Sequence, residues 1–378
     1  MEFGFSQEQQ EVRQLARKIL SEQVSADTLA PYDEYAAPRF DRTLWQQLLS
    51  AGLPAVALEQ RYGGMGFGFM ELALFIEEVG RSIAPVPAIA HCVAAALPIQ
   101  RFGSEVMKEA ILPGAASGEL LLTAALGEYL NDDDPADPRA VTAVADGEDL
   151  LLSGTKSGVP FAAQASHILL AARTAEGVAV VLLDPDAAGV TLRDLQVTSF
   201  EPQCELVLDS VRVPAAAILS ASDGARIMGW IGERATAAIC AHQLGASDCA
   251  MRMAASYTSE RKQFDVPVAT FQAVGHRMAD CYVDVECLRL TTYQAASLLD
   301  SDVSATTEVR IAKIWAGDTG HRVSYATQHV HGGTGIDRDY PLWRYCLWLR
   351  QNEMTLGSSA AQIARLGSRL AAGEALFS

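Results

Sequence analysis

Apolar residues recur at helical spacing from the start of the chain. Val12, Leu15, Ala16, Ile19 and Leu20 follow Ser6, whose short hydroxyl side chain suits a helix N-cap. Leu44, Leu48 and Leu49 continue the pattern, and Met70 to Gly80 (MELALFIEEVG) repeats it after the glycine-rich turn Tyr62-Gly63-Gly64-Met65-Gly66. This predicts an N-terminal helical bundle over residues 1–118. Between 119 and 222 the texture changes. Short apolar runs (LLLTAAL, AVTAVA, DLLLSG, HILLAAR, VAVVLLD) are separated by Gly, Asp and Pro at intervals of about 8–12 residues, the mark of a middle antiparallel β domain. The acidic run Asn131-Asp132-Asp133-Asp134-Pro135 reads as a solvated loop between two strands. From 223 to 378 helical spacing returns in long segments: Ala235 to Ser259, Phe271 to Leu299, Ser304 to His331 and Trp343 to Ala372. Their length suits a C-terminal four-helix bundle able to support a large subunit interface. The predicted fold class is α+β, in the order helical, β, helical.

Composition narrows the function. A chain of 378 residues that is 49% hydrophobic has material for two or three domains with a large core, which excludes global disorder. With 46 acidic side chains against 29 basic ones, the formal charge is −17. That balance disfavours coating nucleic acid or an anionic membrane, so any anionic ligand must meet a local basic patch. No window reaches the ~18 continuous apolar residues of a membrane span, and the opening residues resemble neither a secretory leader nor a transit peptide. Seven scattered cysteines without a Cys-x-x-Cys pair suggest reduced thiols in a cytoplasmic protein and no metal centre.

Two polar stretches could bear chemistry. Tyr257-Thr-Ser-Glu-Arg261-Lys-Gln-Phe264-Asp-Val-Pro267 ends one long helix, and Phe271-Gln272 opens the next. An arginine there could simply complement the helix dipole. Gln328-His-Val-His-Gly332-Gly333-Thr-Gly335 could be a helix stop, although paired glycines also let backbone approach a phosphate closely. Together and in this order, with FGFSQEQQEVRQLAR and YGGMGFGFMELALFIEEVGRS, the stretches ERKQFDVPVATFQAVGHRMADCYVDVE and QHVHGGTGIDRDYPLWRY resemble the acyl-CoA dehydrogenase flavoproteins over nearly the whole chain.

That resemblance implies FAD as cofactor, an acyl-CoA substrate desaturated between Cα and Cβ, assembly as a dimer of dimers, and an electron-transferring flavoprotein as electron acceptor. It further implies that Arg261, Phe264 and Gln272 reach across a subunit interface toward the FAD pyrophosphate and ribityl end. Gln328, Gly332 and Gly333 would hold the adenosine diphosphate half.

The catalytic side departs from the family pattern. The commonest family base is a glutamate in a Tyr-Glu-Gly-Thr-type loop, and the matching position here is Leu356, which cannot accept a proton. The alternative family position, ten residues before Gly245, is Ala235. Glu233 lies two residues away, about 200° around a helix, and Glu353 nearly a turn before Leu356, so the base is unassigned. Where family members line the flavin with a Thr-Glu-Pro stretch, this chain has Thr123-Ala124-Ala125. Where they place Trp and Thr against the ring, it has Gly158 and Pro160, losing an aromatic wall worth about 1 kcal/mol beyond its area. The interface groups are intact while the ring side is eroded, as in a subunit that completes a flavin site built mainly by a paralogous chain. Leu356 and the small Gly158 hint at a bulky acyl group, and two-subunit family members are known for bulky acyl groups such as steroid side chains. A self-sufficient homo-oligomer with an unusual base such as Glu233, and a flavin-free scaffold or regulatory paralogue, are the alternatives.

Overall fold

A computed structural model describes residues 4–35, 37–129 and 134–374. The first three residues of the acidic run, 131–133, lie outside the described residues. The chain divides into two compact units: Met1–Leu29, Ala73–Ala84 and Thr236–Ser378 form one, and Ala30–Leu72 with Pro85–Ala235 the other.

The second unit contains the sheet. Its strands are β1 (Leu122–Ala125), β2 (Val141–Asp146), β3 (Asp149–Pro160), β4 (His167–Arg173), β5 (Val178–Leu183), β6 (Val190–Leu195), β7 (Gln203–Val213) and β8 (Ile218–Ser220), in the order β6-β7-β3-β2-β4-β5-β8, with β1 beside β4. β2 and β3 form a two-residue hairpin through Gly147 at φ +68, with Asp146 opposite Asp149. Inward positions such as Leu150, Leu152, Leu206, Leu208 and Val211 interlock as one core. The expectation of a purely antiparallel sheet needs one correction. β1 runs parallel to β4, Leu122 opposite His167, because it arrives from the helix Glu105–Ser117 and not through a hairpin. β2 also meets β4 in parallel at Thr142 and Arg173.

The first unit is helical. Ser6 caps Gln7–Gln23 in a reciprocal box: its hydroxyl accepts the Gln9 N–H at 3.2 Å, and the Gln9 side chain accepts the Ser6 N–H at 3.0 Å. Val12, Ala16 and Leu20 are buried, whereas Leu15 points outward. The long helices are Gly224–Glu260, Gln272–Asp300 and Thr306–His331. The first begins well before Ala235 because three early glycines, poor helix formers, mask its start in the sequence. The last predicted segment is two helices, Leu342–Met354 and Ser359–Ala371. Leu356 at φ +57 and Gly357 at φ +94 interrupt it, and Ser358 caps the second by accepting the Ala361 N–H. Among the described residues no helix is long and apolar enough to cross a membrane.

An ion network holds this unit together. Glu77 and Glu78, on the helix Phe69–Ser82, are fully buried. Glu77 accepts from Arg13 and Arg81, each at 2.8 Å, and from the Tyr293 hydroxyl at 2.6 Å. Arg17 grips Glu78 with two N–H groups at 2.7 and 3.0 Å. Burial alone would raise the Glu78 carboxyl, but Arg17, Arg81 and Arg13 together hold it below its usual value. Arg81 also pairs with the buried Asp248.

Candidate functional site

In the helical unit, the helix Gly224–Glu260 stops where the Arg261 N–H still bonds the Tyr257 carbonyl at 2.8 Å. Strands β9 (Lys262–Gln263) and β10 (Val266–Pro267) then form a hairpin, with Phe264 at φ +53 and Asp265 at φ +65 in its two-residue turn. This turn holds the Phe264 ring 88% exposed, edge-on to Phe271 at 6.3 Å. Gln272, the next residue, is exposed at the start of its helix. Arg261, Phe264 and Gln272 therefore share one exposed corner. A large, bare aromatic side chain is costly to leave in water and marks a contact surface.

The second group of residues lies at the end of Thr306–His331. Gly332 ends that helix at φ +61, its N–H bonded to the His329 carbonyl. Side chains at Gly332 and Gly333 would meet nothing within 4 Å, so this turn is open to a ligand. Gly335 differs: a Cβ there would come within 2.4 Å of the Gln328 carbonyl oxygen, so its glycine serves packing.

An aromatic clamp joins the two groups. Tyr257 stacks on His331 with ring centres 4.3 Å apart, and its hydroxyl lies 3.4 Å from both the His331 carbonyl and the Thr334 hydroxyl. Tyr340 closes the clamp, its hydroxyl 3.2 Å from His331 Nε2, while Nδ1 lies 2.7 Å from the Thr327 carbonyl and so bears the proton. Burial lowers the His331 pKa, partly offset by that carbonyl, and favours the neutral ring this geometry requires. The clamp places the Arg261 end of one helix beside the Gly332 turn of another. Tyr257 and His331 lie inside the two recognised stretches, but neither has a spacing that announces the stack.

Arg261 meets no carboxylate among the described residues. An exposed guanidinium fork, an open diglycine turn and a bare aromatic ring fit the diphosphate half of a dinucleotide.

In the sheet unit the arrangement is closed. Thr123 is fully buried, and its hydroxyl donates to the Pro160 carbonyl at 2.5 Å. The hydroxyl retained from the family pattern is thus already occupied. Gly158 sits at φ +63 beside an irregularity in the β3–β7 register, a conformation in which an aromatic side chain would be strained. Nearby, Lys156 and Glu128 form a buried pair at 2.5 Å, and the other Glu128 oxygen accepts the N–H groups of Arg139 and Ala140 at 2.6 and 2.8 Å. Burial pulls the Lys156 pKa down, and Glu128 opposes that shift. His91 anchors the start of β1. Its Nδ1 accepts the Leu122 N–H at 3.0 Å, and its Nε2 lies 3.2 Å from the Ala115 carbonyl. Full burial lowers its pKa to about 4, which keeps the ring neutral. These residues fit an internally satisfied wall better than one holding a flavin ring.

The positions matched to the family base bear no proton acceptor. Ala235 is buried. Leu356 lies in the turn after Met354, where Gln362 Nε2 donates to its carbonyl at 2.8 Å. Glu353 is paired with Arg350 at 2.5 Å, and Glu233 is half-buried on the other unit's part of its helix.

Residues 6–119 match the family model for the acyl-CoA dehydrogenase N-terminal domain, and residues 223–371 that for the C-terminal domain. The curated relative "Acyl-CoA dehydrogenase FadE27" of Mycobacterium tuberculosis is 36% identical over 341 residues, 88% of this chain and 89% of that protein. The chain is similar to a structure of the ChsE4-ChsE5 complex from Mycobacterium tuberculosis, with TM-score 0.92, 34% identity and 98% and 99% of the two chains covered. It is also similar to a Tcur3481-Tcur3483 steroid ACAD variant, at TM-score 0.89 and 38% identity over 97% and 98% of the chains. Butyryl-CoA dehydrogenase from Megasphaera elsdenii shares the fold at TM-score 0.91 and 25% identity, covering 98% of this chain and 100% of that one. With both terminal domain models matched and a relative aligned over most of its length, the chain belongs to the acyl-CoA dehydrogenase family, FAD-dependent oxidoreductases acting on CH–CH bonds.

Proposed function

We propose that this chain is one subunit of a hetero-oligomeric acyl-CoA dehydrogenase, lending contacts for the FAD diphosphate across an interface while a paralogous subunit supplies the base. The observation that carries this reading is the contrast between an open, cationic Gly332 turn and a closed Thr123 wall. FAD, when bound, supplies the acceptor for the β-hydrogen of the acyl-CoA substrate. Arg261 would hold the diphosphate through its fork, and Gly332 and Gly333 would let backbone approach it without steric hindrance. Phe264 would cover its neighbouring apolar surface, and Gln272 and Gln328 would offer amide hydrogen bonds to the ribityl and adenosine ends. No carboxylate stands at 235 or 356, so α-proton removal falls to the partner subunit. Assembly as a dimer of dimers and delivery of electrons to an electron-transferring flavoprotein complete the proposal.

The substrate class follows from the same erosion. Glycine at 158 in place of an aromatic side chain suits a bulky acyl group, and similarity to a structure titled as a steroid ACAD supports a steroid-derived thioester. Similarity to a two-name complex supports the hetero-oligomer.

The deciding experiment is native mass spectrometry of the assembly isolated through a tag on this chain. Two kinds of chain with fewer FAD than chains are expected. A homo-oligomer with one FAD per chain that desaturates a steroid acyl-CoA unaided would overturn the proposal.

A further inference from the structure

A second cation is bonded to His329, three residues before Gly332. Arg277, in the helix Gln272–Asp300, has its Nη1 2.8 Å from His329 Nδ1. A guanidinium can only donate, so Nδ1 accepts and the ring proton sits on Nε2, which leaves a second donor beside the arginine. The Arg277 guanidinium carbon also lies 5.8 Å from the centre of the Tyr325 ring, and Tyr325 and His329 are nearly parallel, 3° apart in plane. These contacts orient the side chain without neutralising it. Arg277 forms no ion pair within 4 Å among the described residues; Asp280, three residues on, lines the same pocket, and Asp284 there is held by Arg322 at 2.7 Å. In a chain of net charge −17, two arginines without an ion pair among the described residues and so close to one turn stand out.

His329 links Arg277 to the turn. His329 is exposed, and its carbonyl accepts the N–H of Gly332. Arg261 is tied to the same turn from the other helix, through Tyr257 and its contacts with His331 and Thr334. Each arginine is thus held by a residue that contacts the open diglycine turn, Arg261 by way of Tyr257 and Arg277 by way of His329.

We infer that Arg277, oriented by His329, is a second cationic contact for the diphosphate of an ADP moiety bound at the Gly332 turn. A diphosphate is charged on both phosphates, so a single fork leaves one phosphate without a charged partner. A guanidinium already fixed by a histidine and a tyrosine loses little rotamer freedom when it binds. The inference rests on the reading of this turn as a dinucleotide grip. FAD and coenzyme A share the ADP moiety, and the geometry favours FAD because Arg261, Phe264 and Gln272 line the same corner.

The test uses the FAD-loaded assembly isolated through a tag on this chain, in three forms: wild type, Arg277→Gln and Arg261→Gln. Flavin release on dilution is followed by its fluorescence, and displacement is measured with ADP, adenosine and coenzyme A. Arg277→Gln is expected to speed flavin release and weaken ADP about tenfold, with adenosine unchanged and melting temperature preserved. Arg277→Lys should restore part of the ADP affinity. Unchanged ADP affinity in Arg277→Gln beside a loss in Arg261→Gln would overturn this inference and leave the grip intact. ADP unaffected by either variant, or a wild-type assembly without flavin, would overturn both. A loss for adenosine equal to that for ADP would reduce Arg277 to a packing role, and a loss for coenzyme A alone would reassign the ligand.

Discussion

The Gly332 turn and the Thr123 wall belong to different units of one chain and treat their polar groups in opposite ways. At the turn, Arg261 is exposed without a carboxylate partner among the described residues, Phe264 is bare, and the glycines face open space. At the wall, the Thr123 hydroxyl is taken by Pro160, Glu128 by Lys156 and two backbone N–H groups, and His91 by Leu122 and Ala115. Buried polar groups must be satisfied internally, whereas a binding surface holds donors that a ligand will satisfy. The difference therefore separates residues that support the fold from residues kept ready for something else. A substitution at the wall should cost stability and leave flavin retention alone. At the turn the opposite should hold.

The largest effect should come at His91. Its removal orphans the Leu122 N–H and the Ala115 carbonyl and opens a cavity, so His91→Ala should destabilise by about 3–4 kcal/mol in urea unfolding. The wild type should show a matching pH dependence. The folded pKa of about 4 lies below the ordinary 6.5, so the unfolded chain takes up the proton first as pH falls. The stabilisation from His91 is complete above pH 6.5 and drains away between 6.5 and about 4, by roughly 3 kcal/mol in all. If the pH dependence of His91→Asn matched that of the wild type, the loss would have to be assigned elsewhere.

Arg261→Ala should come next and with the reverse signature. Flavin retention in the assembly should fall by about 2 kcal/mol, roughly thirtyfold, for the loss of a charge-assisted contact. Thermal unfolding should move little, since the side chain is exposed. A large stability loss with flavin retained would abolish the contrast between the two regions.

Thr123→Val sharpens the comparison from the other side. It leaves the Pro160 carbonyl without its donor and should cost about 1–2 kcal/mol of stability with flavin release unchanged. Faster flavin release would mean that this hydroxyl serves the ring after all. The smallest effect is expected for Gly158→Ala, about 1 kcal/mol of destabilisation from the left-handed backbone, since its Cβ would meet only the Gln203 amide oxygen at 3.4 Å. A neutral or stabilising result would show that the position keeps glycine for space and not for conformation.

The sequence by itself determined the alternation of helical, β and helical regions, the Ser6 cap and the two stretches that hold Arg261, Phe264, Gln272, Gln328, Gly332 and Gly333. These are local properties. A cap needs residues three apart, a helix stripe three or four, and a strand face two, so the chain states them in short windows. It also stated what is missing, because a leucine at 356 and an alanine at 235 cannot move a proton wherever they lie.

Tertiary structure decided the rest. Periodicity marks Glu77 and Glu78 as polar interruptions of an apolar helix; only folding brings Arg13 and Arg17, some sixty residues away, to make their burial tolerable. The inward turn of Thr123 depends on a carbonyl 37 residues later, and the stack of Tyr257 on His331 joins residues 74 apart. Arg277 and His329 meet across 52 positions. No local window contains both partners of such a pair, and whether a polar side chain is satisfied or left available depends on its partner. A sequence can therefore name the candidates for a site, but the folded chain decides which of them remain free to bind.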